Sequence, residues 1–116
     1  MKFLVLLFLP LLTYAQVKPE GFVIQINDRS MSVLSPSKKR NLFSVIVENR
    51  SLSDQIGKFQ VAGKTLKHVS VQSGKSEVVE IENKTNTPVQ FVPVSPAFQE
   101  VPLLFGKKAY EIPSKE

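Results

Sequence analysis

The sequence contains no cysteine and no tryptophan, and it has a single histidine among its 116 residues. Without cysteine the chain can form no disulfide bond, no thiolate nucleophile and no cysteine-ligated zinc site, and no lipid can be attached through sulfur. A lone histidine also excludes a type 1 copper site, which needs two histidines and a cysteine. Packing alone must stabilise the fold, and we expect no cofactor and no metal.

A helical pattern is missing as well. No window of ten or more residues repeats its apolar residues every 3.6 positions, and β-branched and aromatic residues dominate the periodic segments. The composition, 42% hydrophobic and 22% charged, is typical of a globular chain, and this length predicts one domain. We therefore expect an all-β domain with little or no helix.

One long apolar run is present, at the start of the chain. Residues 3–12 are almost wholly apolar after Met1 and Lys2, and small residues precede Gln16 as signal peptidase requires. The run is about half of the roughly 20 residues that span a bilayer, which disfavours the alternative of a membrane anchor. We expect residues 1–15 to be a cleaved signal peptide and residues 16–116 to form one exported domain, periplasmic or extracellular.

Apolar residues elsewhere recur with a period of two, which is typical of half-buried strands. The clearest examples are residues 22–26 and 43–47, and shorter runs follow at 58–61, 65–72, 76–82, 89–92 and 108–112. Ala62-Gly63 and Ser73-Gly74 each separate two such runs and predict hairpins. Prolines between residues 93 and 102 indicate an edge or an irregular crossing.

About seven short strands at this spacing predict an antiparallel two-sheet sandwich, a Greek key of the immunoglobulin or cupredoxin kind. This is an analogy of fold and implies no particular function. The alternation predicts a core made of the shared apolar face of the strands: Phe22, Ile24, Ile26, Phe43, Val45, Val47, Phe59, Val61, Val69, Val71, Val79, Ile81, Val89, Phe91 and Tyr110.

One short pattern repeats within the chain. Residues 47–51 and 81–85 match type for type at an offset of 34, and residues 26–30 form a looser third copy. Asparagine hydrogen-bonds to the backbone two residues on, so each copy is expected to end a strand in a turn. Asn49 and Asn83 also begin N-x-S/T sequons, which predicts glycosylation if the host modifies such sites.

Catalytic residues are not evident. A hydrolytic triad needs a base, an acid and a nucleophile, and the only candidate base is His68, in the middle of a strand. Glu80 and Glu82 share one face of a strand, as a glycosidase pair could, but the alternation that buries Val79 and Ile81 places both carboxylates in solvent. We therefore expect a protein that is not an enzyme.

Basic residues form the more suggestive clusters. Loss of Lys2 with the leader would leave a formal charge of +4 from the +5 of the whole chain. If these clusters meet in the fold, they would attract an anionic polymer or surface, whereas nucleic acid is disfavoured by export. The candidate anion-binding residues are Lys38, Lys39, Arg40, Lys58, Lys64, Lys67, Lys107 and Lys108.

The proline-rich segment of residues 93–105 is a second candidate site. It is more apolar than a loop requires, and it could either cover an open end of the sandwich or contact a protein partner through Phe98, Leu103, Leu104 and Phe105. The sequence thus favours an exported, non-enzymatic binding module. The alternatives are an assembly subunit that pairs through an edge strand and, less favoured, an enzyme of unrecognised type.

Overall fold

The chain forms two β-sheets, seen in a computed structural model that describes residues 21–95, 99–107 and 110–113. The signal peptide expected at residues 1–15, together with Phe98 and Lys108, lies outside the described residues. The strands are β1 Phe22–Ile26, β2 Ser30–Leu34, β3 Leu42–Asn49, β4 Gln55–Val61, β5 Lys64–Val71, β6 Ser76–Glu82, β7 Gln90–Ser95, β8 Val101–Pro102 and β9 Tyr110–Pro113. The described part of the chain contains no helix, and hence none that could span a membrane.

The two sheets pack face to face as a sandwich, which confirms the predicted fold class. One sheet has the strand order β6-β3-β1-β2-β9 and the other β5-β4-β7-β8. Twelve of the fifteen predicted core residues are buried, and the other three, Val61, Val79 and Tyr110, are partly buried against the same core. The core also contains Met31, Val33, Val101 and Leu103, which the strand pattern did not indicate.

The first sheet contains one parallel pair, where an antiparallel sandwich was expected. β1 and β2 form an antiparallel hairpin, and the loop of residues 35–41 then passes over β1, so that β3 pairs with β1 on its other side. β1 and β3 consequently run in the same direction, with Ile24 opposite Val47. This connection also makes β1 a central strand, which explains why its inward residues are fully buried.

The two predicted hairpins have different outcomes. Ala62 and Gly63 join β4 to β5 with φ angles of 51° and 83°, the two positive values that a type I′ turn requires. The hairpin predicted at Ser73-Gly74 is wrong, because β5 and β6 belong to different sheets. There the turn carries the chain across the sandwich, and the Gly74 N–H donates to the Asn49 carbonyl oxygen at 2.8 Å.

The sequence repeat corresponds to a structural one. β3 crosses to β4 and β6 crosses to β7, from the first sheet to the second in both cases. β3 pairs antiparallel with β6 so that Val45 is opposite Val79, and β4 pairs antiparallel with β7 so that Lys58 is opposite Val92. In each case the two paired residues are 34 apart in the sequence, which is also the offset of the repeat. Antiparallel neighbours are related by a local two-fold rotation, so an approximate two-fold axis through the sandwich relates the two crossovers.

Three phenylalanine rings close the core at the end where β3 begins. Phe22, Phe43 and Phe105 make edge-to-face contacts with ring centroids 4.9 to 5.4 Å apart. Edge-to-face pairs of this kind are favourable in addition to the area that they bury. Residues 103–107 are thereby joined to the core of the first sheet.

Substitution of Phe43 by alanine should lower the free energy of unfolding by about 3–5 kcal/mol, because it removes a buried ring and two aromatic contacts. Urea denaturation measures the change. Leu42→Ala is the matched control, since Leu42 is the preceding residue and is 59% exposed; it should cost less than about 0.5 kcal/mol. Equal shifts of the two urea midpoints would show that the trio does not hold this end of the core.

Candidate anion-binding end

Four loops meet at one end of the sandwich. They are residues 35–41 before β3, residues 62–63 between β4 and β5, residues 83–89 after β6, and residues 103–107 after β8. Backbone hydrogen bonds join three of them: the Asn83 N–H donates to the Asn41 carbonyl oxygen at 2.7 Å, and the Gly106 N–H donates to that of Pro36 at 2.9 Å. Ala62, in the turn of residues 62–63, lines a cleft together with residues 82–85. We call these loops and the adjoining strand ends the basic end.

Positive charge is concentrated at the basic end. Its four loops contain no carboxylate, and at the adjoining strand ends Glu82 lies 3.7 Å from the Lys84 ammonium. The loops of residues 27–29, 50–54 and 72–75 at the opposite end carry charges of both signs. The cations of the basic end in the described residues are Lys38, Lys39, Arg40, Lys64, Lys84 and Lys107.

The other two predicted cations of the described residues lie within strands of the second sheet. Lys58 lies on the outer face of that sheet, where it is opposite His68 in the register. Lys67 is opposite Phe59 and Lys64 is opposite Val61, so the bulge in the pairing leaves both lysines on the same side of the edge strand β5. Lys84, which the sequence did not single out, joins the group because the repeat motif ends β6 there.

A cleft of about 230 Å³ opens between the loops of the basic end. Its walls combine apolar side chains, among them Phe43, Val89 and Leu104, with the polar side chains of Asn83 and Thr85. Lys39 stands at its rim, where the ammonium donates to Asn86 Oδ1 at 3.5 Å. One cation of the basic end is thus positioned by a neighbouring loop.

The loop of residues 103–107 is fixed by Tyr110 on β9. The Tyr110 hydroxyl donates to the Pro102 carbonyl oxygen and accepts from the Leu104 N–H. Burial raises the pKa of this hydroxyl above its ordinary value, which keeps the group protonated and able to donate. The Lys107 ammonium lies 5.5 Å from the centre of the Tyr110 ring, within the range of a cation–π contact.

The candidate partner-binding segment is largely taken up by packing. Leu103 is buried, and Phe105 is half-buried in the aromatic trio. Leu104 is also half-buried and lines the cleft. These placements favour the interpretation that the segment covers an open end of the sandwich.

The candidate catalytic residues are not assembled into a site. His68 is exposed on the outer face of the second sheet, whereas Glu80 and Glu82 are exposed on the outer face of the first. Within the described residues, no group of three or more histidine and carboxylate side chains could hold a metal ion. A function without catalysis stays a prediction.

The two asparagine motifs adopt the same hydrogen-bonded turn. Asn49 Oδ1 accepts from the N–H and the hydroxyl of Ser51, and Asn83 Oδ1 accepts in the same way from Thr85. Each carboxamide also donates to the carbonyl oxygen four residues on, at 2.8 Å in both cases. This is the turn expected from the sequence, and it ends β3 and β6 where the chain changes sheet.

The two copies differ in burial. Asn49 is 1% exposed, and its second amide proton is donated to the Val71 carbonyl oxygen at 2.9 Å. A glycan would replace one of these two protons, so in the folded chain Asn83 is the sequon with the more accessible carboxamide. Glycosylation at Asn49 and Asn83 stays a prediction, and burial makes Asn83 the better candidate of the two.

Comparison of the chain with protein-family models, curated protein sequences and solved structures found no match. Function is therefore inferred from the residues and their placement.

Asn49→Asp should lower the free energy of unfolding by about 3–5 kcal/mol, because it buries a carboxylate and removes the hydrogen bonds that the carboxamide donates to the Ser53 and Val71 carbonyl oxygens. Asn83→Asp is the matched change in the exposed copy and should cost about 1 kcal/mol or less. Urea denaturation at neutral pH compares them. Similar costs for the two substitutions would contradict a structural role specific to Asn49.

Proposed function

We propose that the chain is an exported binding domain whose basic end binds an anionic polymer. The observation that carries this proposal is the concentration of Lys38, Lys39, Arg40, Lys64, Lys84 and Lys107 at one end of the sandwich. Export rests on the apolar leader expected at residues 1–15. Binding, rather than catalysis, accounts for charges that are gathered, in the part of the chain that the structure describes, without a histidine or an unpaired carboxylate beside them.

The spacing of these charges favours an extended ligand over a small ion. They are distributed over several loops rather than directed at one point, and exposed charges act together over about a Debye length, roughly 8 Å at physiological salt. A polymer with a charge on each repeating unit can meet them in succession. Each contact is weak because the side chains are exposed, so affinity comes from their number.

Polymer binding is favoured over binding to a lipid surface. The apolar side chains that line the cleft of the basic end, such as Phe43 and Leu103, are largely buried, and among the described residues only Leu34 and Leu42 are large, apolar and exposed at the adjoining strand ends. A sulfated or carboxylated polysaccharide needs only the cations and the polar loop atoms. Heparin is a suitable probe for this chemistry.

Substitution of Lys38, Lys39 and Arg40 by serine should weaken heparin binding about tenfold, since three exposed ion pairs of about 0.5 kcal/mol each are lost. The control is serine at Arg29, Arg50 and Lys75, which removes the same charge from exposed positions at the opposite end of the sandwich. The dissociation constant is measured by calorimetry from low to high salt, and it should rise steeply with salt for the native chain.

Equal weakening by the two triple variants would show that net charge, and not the basic end, governs binding. Binding that is insensitive to salt, or no binding at low salt, would also contradict the proposal. Tighter binding to anionic vesicles than to heparin would assign the basic end to a membrane surface instead.

A further inference from the structure

The edge strand β6 is protected differently from the other three edges of the sandwich. β5 carries Lys64 and Lys67 and has a bulge in its pairing with β4, β8 has two residues including Pro102, and β9 ends at Pro113. Charged side chains, lysine above all, proline, bulges and short length are the usual devices that prevent edge pairing, and the charges of β6 are all carboxylates. β6 has seven residues, no lysine and no proline, and its pairing with β3 is regular throughout.

The free backbone groups of β6 follow from its ladder with β3. The Asn49 N–H donates to the Lys75 carbonyl oxygen, and the Asn83 N–H donates to that of Asn41. In an antiparallel pair, hydrogen-bonded positions alternate along each strand. The backbone N–H and C=O groups of residues 75, 77, 79, 81 and 83 therefore point toward β3. The N–H and C=O groups of Ser76, Val78, Glu80 and Glu82 therefore point to the open edge.

An incoming strand would extend an apolar row on the outer face of the first sheet. Val78 is 64% exposed and lies opposite Ile46, which lies opposite Val23, which lies opposite Leu34. The row thus crosses four strands and ends at the open edge with its most exposed member. The aliphatic stem of a long side chain placed beside Val78 would cover it.

The inner side of the same edge offers a cleft. A space of about 470 Å³ lies between β5 and the end of β6, with Val61 and Leu66 half-buried in its lining. Val79, on the inward face of β6, is also only partly buried. If a strand were added to β6, its inward side chains would lie over this opening between the two sheets. They would cover the partly buried side chains of Val61, Leu66 and Val79.

Charge identifies the kind of strand that fits. β6 presents three carboxylates, Glu77, Glu80 and Glu82, and like charges directly opposite each other on paired strands are destabilising. A second copy of β6 would bring a second set of carboxylates to the same ladder. A strand whose outward side chains are basic and whose inward side chains are apolar places its cations beside Glu80 and Glu82 on the outer face and its apolar side chains over the cleft on the inner face. Glu77, which is also on the inner face, lies at the end of β6 away from the cleft.

We propose that β6 is a docking site for an extended segment of a partner protein, in which basic and apolar residues alternate. The segment pairs with the outward backbone groups of Ser76, Val78, Glu80 and Glu82, and its apolar side chains cover the cleft beside Leu66. Lys64 and Lys84 of the basic end also line this cleft. Pairing along the backbone of Ser76, Val78 and Glu80 needs neither cation, so protection of the Val78 and Glu80 amides tests this proposal whatever heparin binding shows.

The probe is a seven-residue peptide in which lysine and valine alternate, and its control is a peptide of the same composition with the lysines in one block and the valines in the other. The alternating peptide should bind at least tenfold more tightly in calorimetry. In hydrogen exchange followed by NMR, the amides of Val78 and Glu80 should become protected in its complex.

Glu80→Pro removes an outward N–H without removing a hydrogen bond to β3, and it should weaken binding at least tenfold. Glu80→Gln removes the charge and keeps the N–H, and it should weaken binding only two- to threefold. Circular dichroism checks that the proline variant folds. If it does not fold, the proposal is tested by whether the alternating peptide protects the Val78 and Glu80 amides of the native chain from hydrogen exchange.

Equal binding of the two peptides, equal binding by the proline and glutamine variants, or a complex in which the Val78 and Glu80 amides stay unprotected would each overturn the proposal. Self-association of the native chain that protects those amides without peptide would assign the edge to a second copy instead.

Discussion

The carboxamide of Asn49 fixes the point at which the chain leaves one sheet for the other. It donates to the carbonyl oxygens of Ser53 in the crossover and Val71 at the end of β5, and it accepts twice from Ser51. The backbone of Asn49 also pairs with Gly74 and Lys75 in the next turn. One buried residue thereby holds the end of β3, the crossover and the passage from β5 to β6.

Polar side chains around Asn49 extend this network. The Ser73 hydroxyl donates to the Ser51 carbonyl oxygen at 2.6 Å, and Gln55 Nε2 donates to the Ser51 hydroxyl at 3.0 Å. Buried polar groups are costly unless they are paired, so a network of this kind tolerates little displacement. The network joins the end of β3 to the crossover, the end of β5 and the turn that leads into β6.

The alternation of apolar and polar residues predicts most of the strands, but it does not predict which sheet each strand joins. Phe22 to Ile26 and Phe43 to Val47 were readable as strands because each buries one face, whereas β2 was missed because Met31 and Val33 alternate with serines in a short run. The turn at Ser73-Gly74 resembles a hairpin locally, and only the pairing of β6 with β3 sends the chain to the other sheet. Sheet membership depends on contacts between distant residues, which local pattern does not encode.

The candidate sites could be predicted from the sequence only in part, because they too depend on contacts between distant residues. The run of Lys38, Lys39 and Arg40 was conspicuous, but its proximity to Lys84 and Lys107 follows from loops that meet only in the folded chain. The sequence groups Lys58 and Lys67 with Lys64, whereas the strand pairing places Lys58 on the outer face of the second sheet and leaves Lys67 on the same side of β5 as Lys64. The free edge of β6 could not be inferred without knowing which strand lies at the end of each sheet.

Hydrogen exchange of the asparagine side chains tests the role of Asn49 most directly. The account predicts that both Asn49 side-chain amide protons exchange as slowly as the β3 amides that exchange only when the whole domain unfolds, because both are donated in a buried network. The Asn83 side-chain protons, in the more exposed copy, should exchange much faster. Exchange of the Asn49 protons as fast as those of Asn83 would contradict the claim that this side chain holds the crossover in place.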